Sequence, residues 1–104
     1  MANRIDRVLA EAKASGKTAL APFVTVGFPD VERSEAIAEA IVEAGADMVE
    51  LGIPFSDPLA EGVTVQKTSF LALKQGVNVE TCLDVVRRLR ARGVEAPLVF
   101  MGYF

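Results

Sequence analysis

The chain has no histidine among its 104 residues. That excludes Ser–His and Cys–His nucleophilic pairs and most zinc sites. Acid–base chemistry, if present, falls to carboxylates. Cys82 is the single cysteine, so no internal disulfide can form. On a predicted helix face it reads as a small core filler. No stretch reaches the roughly 18–20 consecutive apolar residues of a membrane span. The N-terminus, MANRIDRVLAEAKASG, carries Asp6 and Glu11 and no apolar signal core, so a cytoplasmic location is expected. A basic stripe is also missing, and the net charge of −3 argues against nucleic acid. Arg87, Arg88, Arg90 and Arg92 form the one basic cluster. They read as cations offsetting a helix macrodipole, with phosphate or partner binding as the alternative. No metal site is expected.

What is present suits one domain at most. Apolar residues make up 51% of the chain, enough for a packed core. Ile5, Val8, Leu9 and Ala12 recur at helical spacing behind Asn3 as N-cap. A strand is predicted over 19–26, with Pro22 unable to donate to a ladder. The turn Gly27–Asp30 follows, and Asp30 caps a helix whose apolar face carries Ile37, Ala40, Ile41 and Ala44. Residues 47–54 read as a second strand, covered on both sides. Residues 54–62 read as a loop, 63–75 as a helix, and Asn78 as the cap of another. That last helix presents Val79, Cys82, Leu83, Val86 and Leu89. Gly16, Gly45, Gly76 and Gly93 are the expected helix stops. PLVFMGY, residues 97–103, is a third strand.

Strands separated by helical crossovers imply a parallel sheet and the α/β class. A doubly wound sheet and a (β/α) barrel both fit this pattern. The first strand–helix turn lacks a dinucleotide fingerprint and a phosphate loop, which weakens the nucleotide-binding version. In either architecture chemistry belongs at the C-terminal ends of the strands. Phe23, Thr25, Glu50, Phe100 and Tyr103 are expected near such ends. A barrel needs about 250 residues and eight strands. Three strands therefore read as the first part of a longer protein, with residues 1–104 the N-terminal part of a single barrel domain.

The most informative stretch is DMVELGIPFSDPLAEGVTVQ, residues 47–66. It sets Glu50 inside an apolar strand and places Asp57 and Glu61 in the loop behind it. A carboxylate costs several kcal/mol to desolvate unless paired or neutralised. Glu50 is therefore either a structural acid, paired with Arg4, Arg7 or Lys17, or a catalytic one.

PFVTVGFPD, VELGIPFSDPLAEG and VFMGYF occur in that order, with AGAD before the second of these and ALKQGV after it. Together they resemble the tryptophan synthase α chain, the indole-3-glycerol-phosphate lyase. The resemblance covers the whole chain but only the first two-fifths of a typical member. It implies a (β/α)8 TIM barrel, here its first three strand–helix units with an extra N-terminal helix. It implies retro-aldol cleavage of indole-3-glycerol phosphate to indole and glyceraldehyde 3-phosphate, in tryptophan biosynthesis. It further implies α2β2 assembly with a β chain that carries pyridoxal phosphate, the α chain itself using no cofactor.

By the same resemblance Glu50 is the proton-shuttling acid, with Val49 and Leu51 supplying desolvation. Glu61 is the second catalytic carboxylate, accepting the indole N–H. Phe23, Val65 and Tyr103 line the indole pocket, and Asp57 and Pro58 face the β chain. The chain departs from the pattern at Glu61-Gly62-Val63, where the family has Asp-Gly-Pro. The extra methylene moves the carboxylate by about 1–1.5 Å, and a misplacement of ~1 Å can cost on the order of a hundredfold in rate. The isolated chain is expected to be inactive. Its exposed third strand and half-open interior predict self-association. The alternative function is a non-catalytic remnant, or a module that binds a β chain through residues 54–62 without cleaving anything.

Overall fold

The computed structural model describes residues 3–56 and 62–103. Its elements run α1 (Arg4–Ala14), β1 (Phe23–Thr25), α2 (Val31–Glu43), β2 (Val49–Gly52), α3 (Val63–Lys74), α4 (Val79–Ala91) and β3 (Leu98–Met101). Short polar side chains start three of the helices. Asn3 accepts from the Asp6 N–H at 2.9 Å while Asp6 accepts from the Asn3 N–H, a reciprocal capping box. Asp30 accepts from the Arg33 N–H at 2.7 Å. Asn78 accepts from the Thr81 N–H at 2.9 Å, and the Thr81 hydroxyl accepts from the Asn78 N–H. Each helix stops two residues before its expected glycine, and those glycines have positive φ.

The strands are shorter than the apolar runs suggest, for a specific reason at β1. Residues 20–22 still lie along β2 but offer mainly carbonyls. Leu20 O accepts from the Asp47 N–H at 3.0 Å, and Pro22 O accepts from the Glu50 N–H at 2.8 Å. Pro22 has no N–H to return. The Leu20 N–H is instead taken by the Asp47 carboxylate at 2.7 Å.

The three strands are parallel and lie in the order β1-β2-β3. Phe23, Glu50 and Val99 share one row, and Thr25, Gly52 and Met101 another. Val24, Val26, Val49 and Leu51 are buried on the opposite face, in one core with Ala38 of α2, Ala72 of α3 and Cys82, Val85 and Leu89 of α4. Spatial order therefore equals chain order, and α2 and α4 cover the same face. That is single winding, the arrangement of a barrel wall, and not the reversed order of a doubly wound sheet.

Two helix faces differ from those expected. The buried residues of α2 are Ser34, Glu35 and Ala38, with Ile41 and Val42 partly covered and Ile37 exposed. Polar residues can take the inner face because each has a partner. The Ser34 hydroxyl accepts from the Gly27 N–H at 2.9 Å, and Glu35 meets two arginines. On α4, Val85 is buried in place of the expected Leu83, and Val79 is exposed.

The arginine run does more than complement a dipole. Arg88 and Arg92 each reach a different oxygen of Glu35 at 2.6 Å, and Arg92 also meets Glu39 at 3.2 Å. Arg87 pairs with Asp84 and Glu80 on its own helix. Arg90 reaches past the end of α4 and donates to the carbonyls of Val94 and Ala96 at 2.8 and 2.7 Å, tying down the turn that leads into β3. Helix α1 is held near the start of β3 by the Arg4–Glu95 pair at 3.1 Å. Its apolar residues Ile5 and Leu9 are left exposed.

Candidate active site

Side chains alternate across β2. Val49 and Leu51 enter the helix-side core, so Glu50 and Gly52 belong to the opposite face, the one that a barrel turns inward. Glu50 is half-buried there, between Phe23 and Val99 in its row. Its carboxylate makes no hydrogen bond or ion pair among the described residues, and Arg4 is committed to Glu95. The alternative in which Arg4 neutralises Glu50 is thus not realised. Nor do Val49 and Leu51 wall the carboxylate, because both point into the other layer.

Phe23 opens β1 rather than closing it, but its ring leans forward along the sheet. A methyl group built on Gly52 would lie 2.9 Å from the ring's Cε2 and 3.3 Å from its Cε1. The ring therefore covers Gly52, one row beyond Glu50. Helix α3 closes over the end of β1. The Thr25 and Thr68 hydroxyls are 2.8 Å apart, and Thr68 donates to the Val65 carbonyl at 3.0 Å. Phe23, Thr25, Phe28, Val65 and Thr68, with Val24, Ile37 and Ile41 from the helix side, line a cavity of about 270 Å³ along β1; Glu50 and Gly52 are not in its lining. The volume is just under the roughly 300–1,000 Å³ of small-molecule sites, and the lining is predominantly apolar.

The cavity brings together Phe23 and Val65, which lie far apart in sequence. Tyr103 does not line it. Its ring stacks on Phe55, with centroids 5.0 Å apart and planes 18° from parallel. Phe100 shares a row with Val24 and Leu51 and packs on the helix side, so it leaves the set expected at the site. Glu61, Asp57 and Pro58 lie outside the described residues. Among the described residues no group of three or more His, Cys, Asp or Glu side chains could hold a metal ion. No helix there is long and apolar enough to cross a membrane. Gly52 and Thr68 were not singled out for the site from the sequence, whereas Thr25 was expected beside it. For Gly52 a signal existed: a glycine two residues after a strand acid marks a close approach on the acid's own face.

The model of the tryptophan synthase alpha chain family matches residues 9–104. The tryptophan synthase alpha chain of Chloroflexus aggregans is 49% identical over 102 residues, 98% of this chain and 38% of that relative. The crystal structure of tryptophan synthase subunit alpha from Legionella pneumophila str. Paris superposes with a TM-score of 0.95 at 41% identity, covering 99% of this chain and 39% of that one. A tryptophan synthase structure from M. tuberculosis, in an aminoacrylate-bound form, matches with a TM-score of 0.90 at 35% identity over 98% of this chain and 41% of that one. The chain thus spans about two-fifths of the length of the relatives it matches. Its parallel strands, wound singly with helices on one face, are a segment of the TIM-barrel wall of those proteins. By sequence and by fold the chain belongs to the tryptophan synthase alpha chain family.

Proposed function

We propose that residues 1–104 are the N-terminal part of a single barrel domain that cleaves indole-3-glycerol phosphate to indole and glyceraldehyde 3-phosphate, a lyase step of tryptophan biosynthesis in the cytoplasm. The observation that carries this reading is Glu50. It is an acid on the inward face of a barrel wall, unpaired among the described residues, in the same row as an aromatic side chain.

The reaction needs such a group twice. Carbon 3 of the indole ring must accept a proton before the carbon–carbon bond breaks. The glycerol hydroxyl must lose one as its carbon becomes an aldehyde. Glu50 donates the first proton as the acid and takes the second as the base. Electrons of the breaking bond return to the indole ring, so charge balances without an external oxidant or reductant. Positive charge grows on the ring nitrogen meanwhile, and Glu61 is the carboxylate assigned to accept its N–H. Phe23, Val65 and Tyr103 are assigned to the indole ring, with Phe23 and Val65 supported by their shared cavity. Asp57 and Pro58 are assigned to contact with a β chain in an α2β2 assembly.

Three strands cannot close an eight-stranded barrel or hold the phosphate, so the isolated chain is expected to release no indole. The test joins this chain in frame to the remainder of a matched relative and assays indole release from indole-3-glycerol phosphate. The completed protein is expected to turn over, and Glu50→Gln is expected to slow it by at least a hundredfold. Equal rates for parent and E50Q overturn the reading. A folded, inactive protein that still accelerates a β chain favours the non-catalytic module.

A further inference from the structure

The geometry points to Gly52 as a specificity-determining position of this site, acting through Phe23: the missing side chain lets the Phe23 ring lie across β2, and that sets the depth available to a flat bicyclic aromatic ligand. The inference rests on the functional reading above. It adds a positioning residue which that reading does not require.

Register gives the first part of the argument. Phe23 is paired with Glu50 and Thr25 with Gly52. An upright Phe23 side chain would stand beside Glu50. Its ring is found over Gly52 instead, one row nearer the C-terminal ends of the strands. The ring therefore leans past the Glu50 row rather than standing in it. The displacement also puts the ring on the wall of the cavity shared with Val65, Phe28 and Ile37.

Sterics give the second part. Added at Gly52, a Cβ would come within 2.9 Å of Cε2 and 3.3 Å of Cε1, and nearest of all to Cζ, the tip of the same ring. Phe23 supplies all three of the nearest atoms. Backbone does not obstruct the methyl group, and Gly52 lies in ordinary strand conformation with no positive φ. An alanine is therefore admitted by the chain and resisted by one ring. That ring has two ways out. It can move into the cavity and shorten it, or swing back over Glu50. Either one takes space from an aromatic ligand. The effect is local to binding, since the atom that must move is the far end of a side chain and not the core.

The completed protein described above supplies the test, with Gly52→Ala, Phe23→Leu and the double variant. Indole binding and steady-state turnover are both measured. G52A is expected to weaken indole binding about tenfold and to raise KM in step, with kcat within about threefold of the parent. The F23L/G52A protein is expected to bind indole as F23L does, because the shorter side chain no longer meets the new methyl group. A G52A protein that binds indole like the parent overturns the inference. So does a double variant as weak as the two single losses multiplied together. The two readings fail separately. Turnover that survives E50Q removes the catalytic role of Glu50 and leaves the indole-binding comparison standing.

Discussion

Arg88 of α4 places its Nε 2.6 Å from a carboxylate oxygen of Glu35, on α2, 53 residues earlier in the chain. The Glu35 side chain is 7% exposed, while Arg88 and Arg92, which share it, are 48% and 41% exposed. The acid is buried and its partners are half in water. A pair of this kind falls between a buried bridge, whose rupture costs about 3–5 kcal/mol, and a surface one worth about 0–1 kcal/mol. Glu35→Ala is expected to cost about 2 kcal/mol, read as a lower urea midpoint at unchanged slope. Arg92→Lys, which loses the planar fork that spans Glu35 and Glu39, is expected to lower the midpoint by less than E35A does. An unchanged midpoint for E35A removes the clamp as a source of stability.

Gly27 makes a second, purely steric demand. Its φ is +96°, and a Cβ there would lie 2.5 Å from Val77 Cγ2 and 3.1 Å from Ala72 Cβ. Left-handed backbone costs an L-residue roughly 1–2 kcal/mol, and overpacking adds about 1–3 kcal/mol. Gly27→Ala should therefore destabilise by about 2–5 kcal/mol. In the Gly27→Ala/Val77→Ala pair part of this is recovered, so the two losses are less than additive. Strict additivity in denaturant melts would show that the two sites do not touch.

Cys82 gives the pH dependence. Burial pushes its thiol from 9.0 up to about 11. The neutral thiol is the form the folded core favours, so its contribution is complete below pH 9. Stability is then lost as pH rises from about 9 to about 11, by on the order of 2 kcal/mol. Cys82→Ala should flatten that alkaline decline at a constant cost of cavity. The same burial makes the folded protein inert to thiol reagents at pH 8, with labelling that follows global unfolding. Fast labelling in native buffer would contradict this.

Glu50 should behave in the opposite way to Glu35. Its carboxylate has no partner among the described residues, so Glu50→Gln is expected to leave the unfolding free energy within about 0.5 kcal/mol, or to raise it. A loss above about 1 kcal/mol would assign the acid to structure.

The helix starts at Asn3, Asp30 and Asn78 were readable because a cap is a bargain struck within four residues. Pro22 likewise announced its defect as a donor. The inner faces of α2 and α4 were misread where the partner lay elsewhere in the chain. Glu35 looks like a solvent acid until Arg88 and Arg92 arrive, and the arginine run looks like capping until Glu35 does. At the site, Glu50 was visible as an acid in an apolar strand. The meeting of Phe23 with Val65 depends on α3 folding back over β1, which no local pattern reports. Tyr103 was grouped with them by resemblance, and in the structure its ring stacks on Phe55. Asp57, Pro58 and Glu61 stand outside the described residues, so their assignment rests on the family alone.

The order β1-β2-β3 leaves, among the described residues, one free edge on β1 and another on β3. Because all three strands run the same way, these edges are unlike. Two β1 edges brought together by a two-fold axis across the sheet would meet antiparallel, whereas β3 of one copy can continue in parallel into β1 of the next. A β3-to-β1 contact of this kind is head-to-tail, and every copy added that way presents the same pair of unlike ends again. Such a contact has no built-in stopping point: unless the rotation per copy happens to close a ring, concentration and not symmetry decides how long the assembly grows.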